Sequence, residues 1–128
     1  MEEHARKTAL LSAFGWAMGY LLAGKLLAVL LPAPAADGAR MFRVCIAAPL
    51  VEEGVFRGAV QRSLRPLGQW QAVFLQAVLF AIQHGSPTGM LYALVCGLVL
   101  GKLADRTGHL WPGMLLHSLN NLLVFVAG

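Results

Sequence analysis

Cys45-Ile46-Ala47-Ala48-Pro49-Leu50-Val51-Glu52-Glu53-Gly54-Val55-Phe56-Arg57-Gly58-Ala59-Val60 sets two carboxylates and a guanidinium inside an otherwise apolar run. A charged side chain at bilayer depth costs roughly 2.5–3.5 kcal/mol on insertion scales. For Glu52, Glu53 and Arg57 together that is on the order of 8–10 kcal/mol. Such a segment cannot face lipid as a lone helix, so neighbouring helices must shield it. Clusters of this kind are usually kept because they do chemistry or move ions. Two more polar clusters stand in equally apolar surroundings: His84, four residues after Phe80, and His117 with Asn121.

Outward from that stretch, the composition is that of a membrane protein. Of 128 residues, 58% are hydrophobic and 12% charged, about half the charged fraction of a soluble domain. The length allows one domain, 1–128. The net charge of +4 does not indicate nucleic acid, because the basic residues fall between apolar stretches and not along one face. Cys45 and Cys96 show no CxxC or metal-ligand pattern and read as small buried hydrophobes.

Five apolar stretches predict an all-α, polytopic bundle of about five membrane helices. The first, 8–31, is long enough to span, with Lys25 able to snorkel. Pro32-Ala33-Pro34-Ala35-Ala36 after it resembles a signal-peptide cleavage site. The apolar region exceeds the usual 7–15 residues, so 8–31 reads as an uncleaved anchor, with 31–40 a Pro/Ala/Gly loop. The second, 41–64, is expected to kink or begin a helix at Pro49, which lacks a backbone donor. The third, 69–84, stops at Gly85-Ser86-Pro87. The fourth, 88–103, carries Gly97 and Gly101 at the spacing that permits close helix packing. The fifth opens at Leu110-Trp111-Pro112, with proline in the first turn, and runs to 127.

With the N-terminus cytoplasmic, inner loops collect Arg6, Lys7, Arg62, Arg65, Lys102 and Arg106, and outer loops only Arg40 and Arg43. Trp70 and Trp111 then both lie at the inner interface. The reading is a multi-pass protein of a bacterial inner membrane.

Helical spacing divides the polar residues. Glu53 and Arg57, four apart, share a face and neutralise each other. Glu52 points about a quarter turn away and has no partner in its own helix. It is the free carboxylate, and burial makes such a group a better base. His117 and Asn121 also share a face, and His84 joins them only where the third helix packs against both. Structural glue, a proton or ion path, and a metal site built from two histidines and a carboxylate are the competing readings. No HExxH is present, and neither a metal nor another cofactor is expected.

Glu52-Glu53-Gly54-Val55-Phe56-Arg57 resembles the EExxxR motif of the CPBP family, the CAAX proteases and bacteriocin-processing enzymes also called Abi proteins. Phe80 to His84 matches its FxxxH motif and His117 to Asn121 its HxxxN motif, in the family's order, from about Val44 to the C-terminus. The resemblance implies a glutamate-dependent intramembrane endopeptidase. Glu52 would activate water with His84 helping to hold it, His117 and Asn121 would stabilise the oxyanion, and Glu53 and Arg57 would shape the site. The implied partners are the bilayer and a membrane-tethered protein or peptide, cut near a CAAX-like or sorting-tail C-terminus or at a bacteriocin leader. Oligomeric state is not indicated. Two departures are Gly54, where a larger apolar residue is more usual, and a short chain with one helix ahead of the motifs. A non-catalytic immunity or scaffold protein on the same core and an intramembrane metalloprotease are the alternatives.

Overall fold

A computed structural model describes residues 1–33 and 36–128. Among them the regular structure is entirely helical. Helix α1 is Glu2–Leu30. Helix α2 covers 37–64 and continues into a 3₁₀ turn, Arg65–Leu67. Helices α3, α4 and α5 are Gln69–Ala81, Pro87–Thr107 and Trp111–Ala127. The stretch 32–36 that resembles a cleavage site falls partly on residues 34 and 35, outside the described residues. The expected loop 31–40 is shorter than read, because α2 already begins at Asp37.

Pro49 does not break the second helix, but it stands in the first turn of an α-helical segment, Ala48–Glu53. The backbone passes through a π-helical segment, Arg43–Ala47, immediately before it. The register change accommodates the missing N–H without interrupting the rod. A second π segment, Gly54–Val60, follows the glutamates. The acidic pair is thus bracketed by two widened turns, of a kind frequent at functional sites. Gly54 opens the second, and a Cβ there would meet open space, so this departure from the family pattern is tolerated.

The most extensive packing joins α3 to α4. Small residues explain it. A Cβ on Gly97 would sit 3.0 Å from the Cα and Cβ of Ala77, so only glycine permits the observed approach. Gln76 Nε2 donates to the Gly97 carbonyl at 2.8 Å, and Gln61 Nε2 from α2 donates to the Gly101 carbonyl at 3.0 Å. The expected close packing at these glycines is what the structure contains, with buried amides locking it. The core then spreads from Phe56, Val60 and Leu64 on α2 to Ala72 and Phe80 on α3, and to Ala13 and Ala17 on α1.

Successive helices run antiparallel. One end holds Arg65 near Asp105 and Lys102 over the Trp70 ring, 4.2 Å from its centre. The opposite end holds Arg40 over the Phe125 ring. The outer surface is apolar. Leu11, Phe14, Leu26, Val29, Leu91, Val99 and Leu123 are among many large exposed hydrophobics, an extent that marks a membrane or partner surface.

Among the described residues, only α1 and α4 are both long and apolar enough to cross a membrane. Helix α3, at 13 residues, spans about 20 Å against a hydrocarbon core of about 30 Å. Helix α2 carries Glu52, Glu53 and Arg57 in its middle.

Candidate active site

The acidic pair occupies the middle of α2, and its two members face different environments. Glu53 is completely buried. Its Oε1 lies 3.0 Å from Arg57 Nη1, the ion pair that the four-residue spacing predicts. Room for it beneath α5 comes from Gly113, where a Cβ would approach Glu53 Oε2 to 2.9 Å. Arg57 is also buried and lies over the Phe80 ring, 4.6 Å from its centre, where the ring's electron-rich face attracts a cation.

Glu52 instead lines a cavity of about 660 Å³ between α1 and α2, and that cavity is also lined by His84, His117 and Asn121. A smaller recess of about 280 Å³ shares Glu52 and His84. The structure therefore brings four of the six predicted residues onto one cavity and sets Glu53 and Arg57 directly behind it.

His117 bridges the two carboxylates. Its Nδ1 is 2.8 Å from Glu53 Oε1, and its Nε2 is 3.5 Å from Glu52 Oε2. Glu53, ion-paired with Arg57, accepts, so Nδ1 carries the proton in the shorter contact and Nε2 is directed toward Glu52. The longer contact is at the limit of hydrogen bonding. The same logic applies to His84, whose Nδ1 lies 3.1 Å from the Phe80 carbonyl. A carbonyl can only accept, which leaves the Nε2 of His84 free to accept a hydrogen bond.

Three placements differ from the sequence reading. His84 is not on the third helix, which ends at Ala81. It stands in the turn that follows, with its N–H bonded to the Ala81 carbonyl. Glu52, expected to be without a partner, takes a 2.8 Å hydrogen bond from the Tyr20 hydroxyl of α1. Asn121 is already engaged, with Nδ2 donating to the Val44 carbonyl at 2.9 Å. Asn121 therefore ties α5 to the first widened turn of α2.

Phe80 is the residue whose importance spacing alone does not show. Its ring makes edge contacts with Phe56, His84 and His117, at 5.2, 5.0 and 5.9 Å between centroids. It also carries Arg57 on one face. One aromatic side chain thus fixes both imidazoles and the guanidinium. Among the described residues, no group of three His, Cys, Asp or Glu side chains is arranged to hold a metal ion. Cys45 is buried, Cys96 half-buried, and both are free thiols.

The structure thus gathers carboxylate, imidazole and amide groups onto one cavity beneath an apolar helical surface. A family model described as type II CAAX prenyl endopeptidase Rce1-like matches residues 34–123. The chain belongs to this family, as the three ordered motifs suggest. Membership makes it a membrane-embedded protease of the CAAX type, a class that acts on membrane-associated proteins. No curated protein and no solved structure matches the chain.

Proposed function

We propose that this protein is a glutamate-type intramembrane endopeptidase in which Glu52 is the general base. Its helices form a multi-pass bundle, N-terminus cytoplasmic, in a bacterial inner membrane, and its substrate is a tethered protein or peptide cut near the membrane surface. The observation that carries the reading is the asymmetry of the acidic pair: Glu53 is sealed behind Arg57, whereas Glu52 opens onto the cavity lined by both histidines.

The chemistry follows from those positions. A water held between Glu52 and His84 Nε2 loses a proton to the Glu52 carboxylate as its oxygen attacks the scissile carbonyl. The resulting oxyanion is met by donors on the α5 side, His117 through Nε2 in its protonated form and Asn121 once its amide turns from Val44. Collapse of the tetrahedral intermediate breaks the C–N bond, and Glu52 returns its proton to the departing amine. A water-poor cavity strengthens each of these interactions, and one preorganised oxyanion donor is worth about 3–4 kcal/mol. Glu53 acts by holding His117 in one orientation through the contact at Nδ1, a role that suits a buried acceptor fixed by Arg57.

The test uses the purified full chain in liposomes with two reporters, one ending in a prenylated Cys-aliphatic-aliphatic-X sequence and one bearing a C-terminal apolar tail with a basic end. Wild type is expected to cleave at least one. His84→Ala and His117→Ala are expected to lose at least about 100-fold in rate while remaining folded. Cleavage of neither reporter by wild type, or wild-type rates in both variants, would overturn the assignment.

A further inference from the structure

We propose that Tyr20, on the helix that precedes the family-matched region, is a positioning residue for the active carboxylate, so that α1 completes the site. The match begins at residue 34, and the three motifs lie on α2, the α3–α4 turn and α5. Nothing in them calls for α1. Yet Tyr20 reaches from α1 and donates its hydroxyl proton to Glu52 Oε1 at 2.8 Å.

The way α1 is seated gives that contact its place. Ala9, Ala13 and Ala17 recur every four residues and are buried. Such spacing puts small side chains on one stripe and lets two helices approach closely. Tyr20 follows, three residues after Ala17 on the same stripe, with its ring edge-on to Phe56 at 5.5 Å between centroids. Beyond Tyr20, no residue of α1 is buried. The remaining third of the helix stands away from α2 and forms the far wall of the cavity through Gly24, Leu27 and Ala28. Tyr20 is therefore where α1 leaves the bundle, and its hydroxyl lies at the apex of the opening.

Two consequences follow for the carboxylate. With Oε1 held by Tyr20, Oε2 is the oxygen turned toward His117 Nε2 and is the one available to take the proton from water. A carboxylate held by a single charge-assisted hydrogen bond is also restricted in rotation, which matters because misplacement of a reacting group by about 1 Å costs on the order of 100-fold in rate.

This inference rests on the role proposed for Glu52. Tyr20→Phe keeps the ring on Phe56 and removes only the hydroxyl. The experiment measures kcat, KM and thermal unfolding of the full chain in liposomes, using whichever reporter wild type cleaves. The comparison variants are Tyr92→Phe and Glu52→Gln. Tyr92, the other tyrosine, bonds Asn120 on the exterior, and its substitution should change nothing. Tyr20→Phe is expected to lower kcat about tenfold, with KM within twofold and the unfolding temperature unchanged. An unchanged kcat overturns the inference, and so does a loss that tracks the unfolded fraction, which would make the hydroxyl merely structural. If Glu52→Gln keeps the wild-type rate, the function proposed above falls and this inference with it. If Glu52→Gln is inactive while Tyr20→Phe is fully active, only the role of Tyr20 fails.

Discussion

The α3–α4 interface and the α1–α2 cleft use similar apolar residues and end in opposite states. At the first, Gly97 and Gly101 let the backbones meet, and Gln76 and Gln61 donate to the buried glycine carbonyls. At the second, the alanine stripe closes only the first two thirds of α1, and the rest stays apart from α2. The closed interface is a fixed frame. The open cleft is where Glu52, His84, His117 and Asn121 face one cavity. Protein interiors close wherever small residues permit it, so a persistent cavity beside Glu52 is a feature of how the helices are seated.

The largest effect should come from disturbing the frame at its charged centre. Glu53→Ala leaves Arg57 buried without its counter-charge, at a cost of about 3–5 kcal/mol. Unfolding in detergent should show a chain that is largely unfolded or much less stable. A variant of wild-type stability would mean the ion pair is not structural. Next, Gly101→Val inserts a branched side chain where Gln76, Gln61 and Val73 already crowd the backbone. It should cost about 1–3 kcal/mol, read as a lower unfolding temperature. Gln76→Leu removes the amide bond to Gly97 and should cost about 0.6–1 kcal/mol. The smallest effect is expected in the cleft. Leu27→Ala, on the splayed third of α1, should leave stability within about 0.5 kcal/mol. A large loss there would show that the cleft is packed in solution and would remove the contrast.

Much of this was legible in the sequence because it depends on spacing within one helix. The four-residue step from Glu53 to Arg57, the glycine pair on α4 and the proline in the first turn of α5 each determine a local geometry, and each is found. The ordered motifs also foretell that Glu52, His84, His117 and Asn121 meet on one cavity. What escaped depends on how helices are set against each other. No motif singles out Tyr20, which gains meaning only once the alanine stripe seats α1 against α2. Gly113 gains meaning only when Glu53 lies beneath it. The π segments around Pro49 and Gly54 leave no pattern in a heptad or alternation count. His84 fell outside its helix because the chain needs Ile82 and Gln83 to begin the turn toward Ser86, whose hydroxyl caps α4. Buried amides inside apolar runs, Gln61 and Gln76, were a signal available from the start, since polar groups in such surroundings must find partners.

The division of labour between the two glutamates is tested most directly by one rate. Glu52→Gln preserves the shape of the side chain but cannot accept a proton from water. In liposomes, with folding verified by its unfolding temperature, it should cleave a reporter at least about 1,000 times more slowly than wild type. A folded Glu52→Gln protein that cleaves at the wild-type rate would contradict the account.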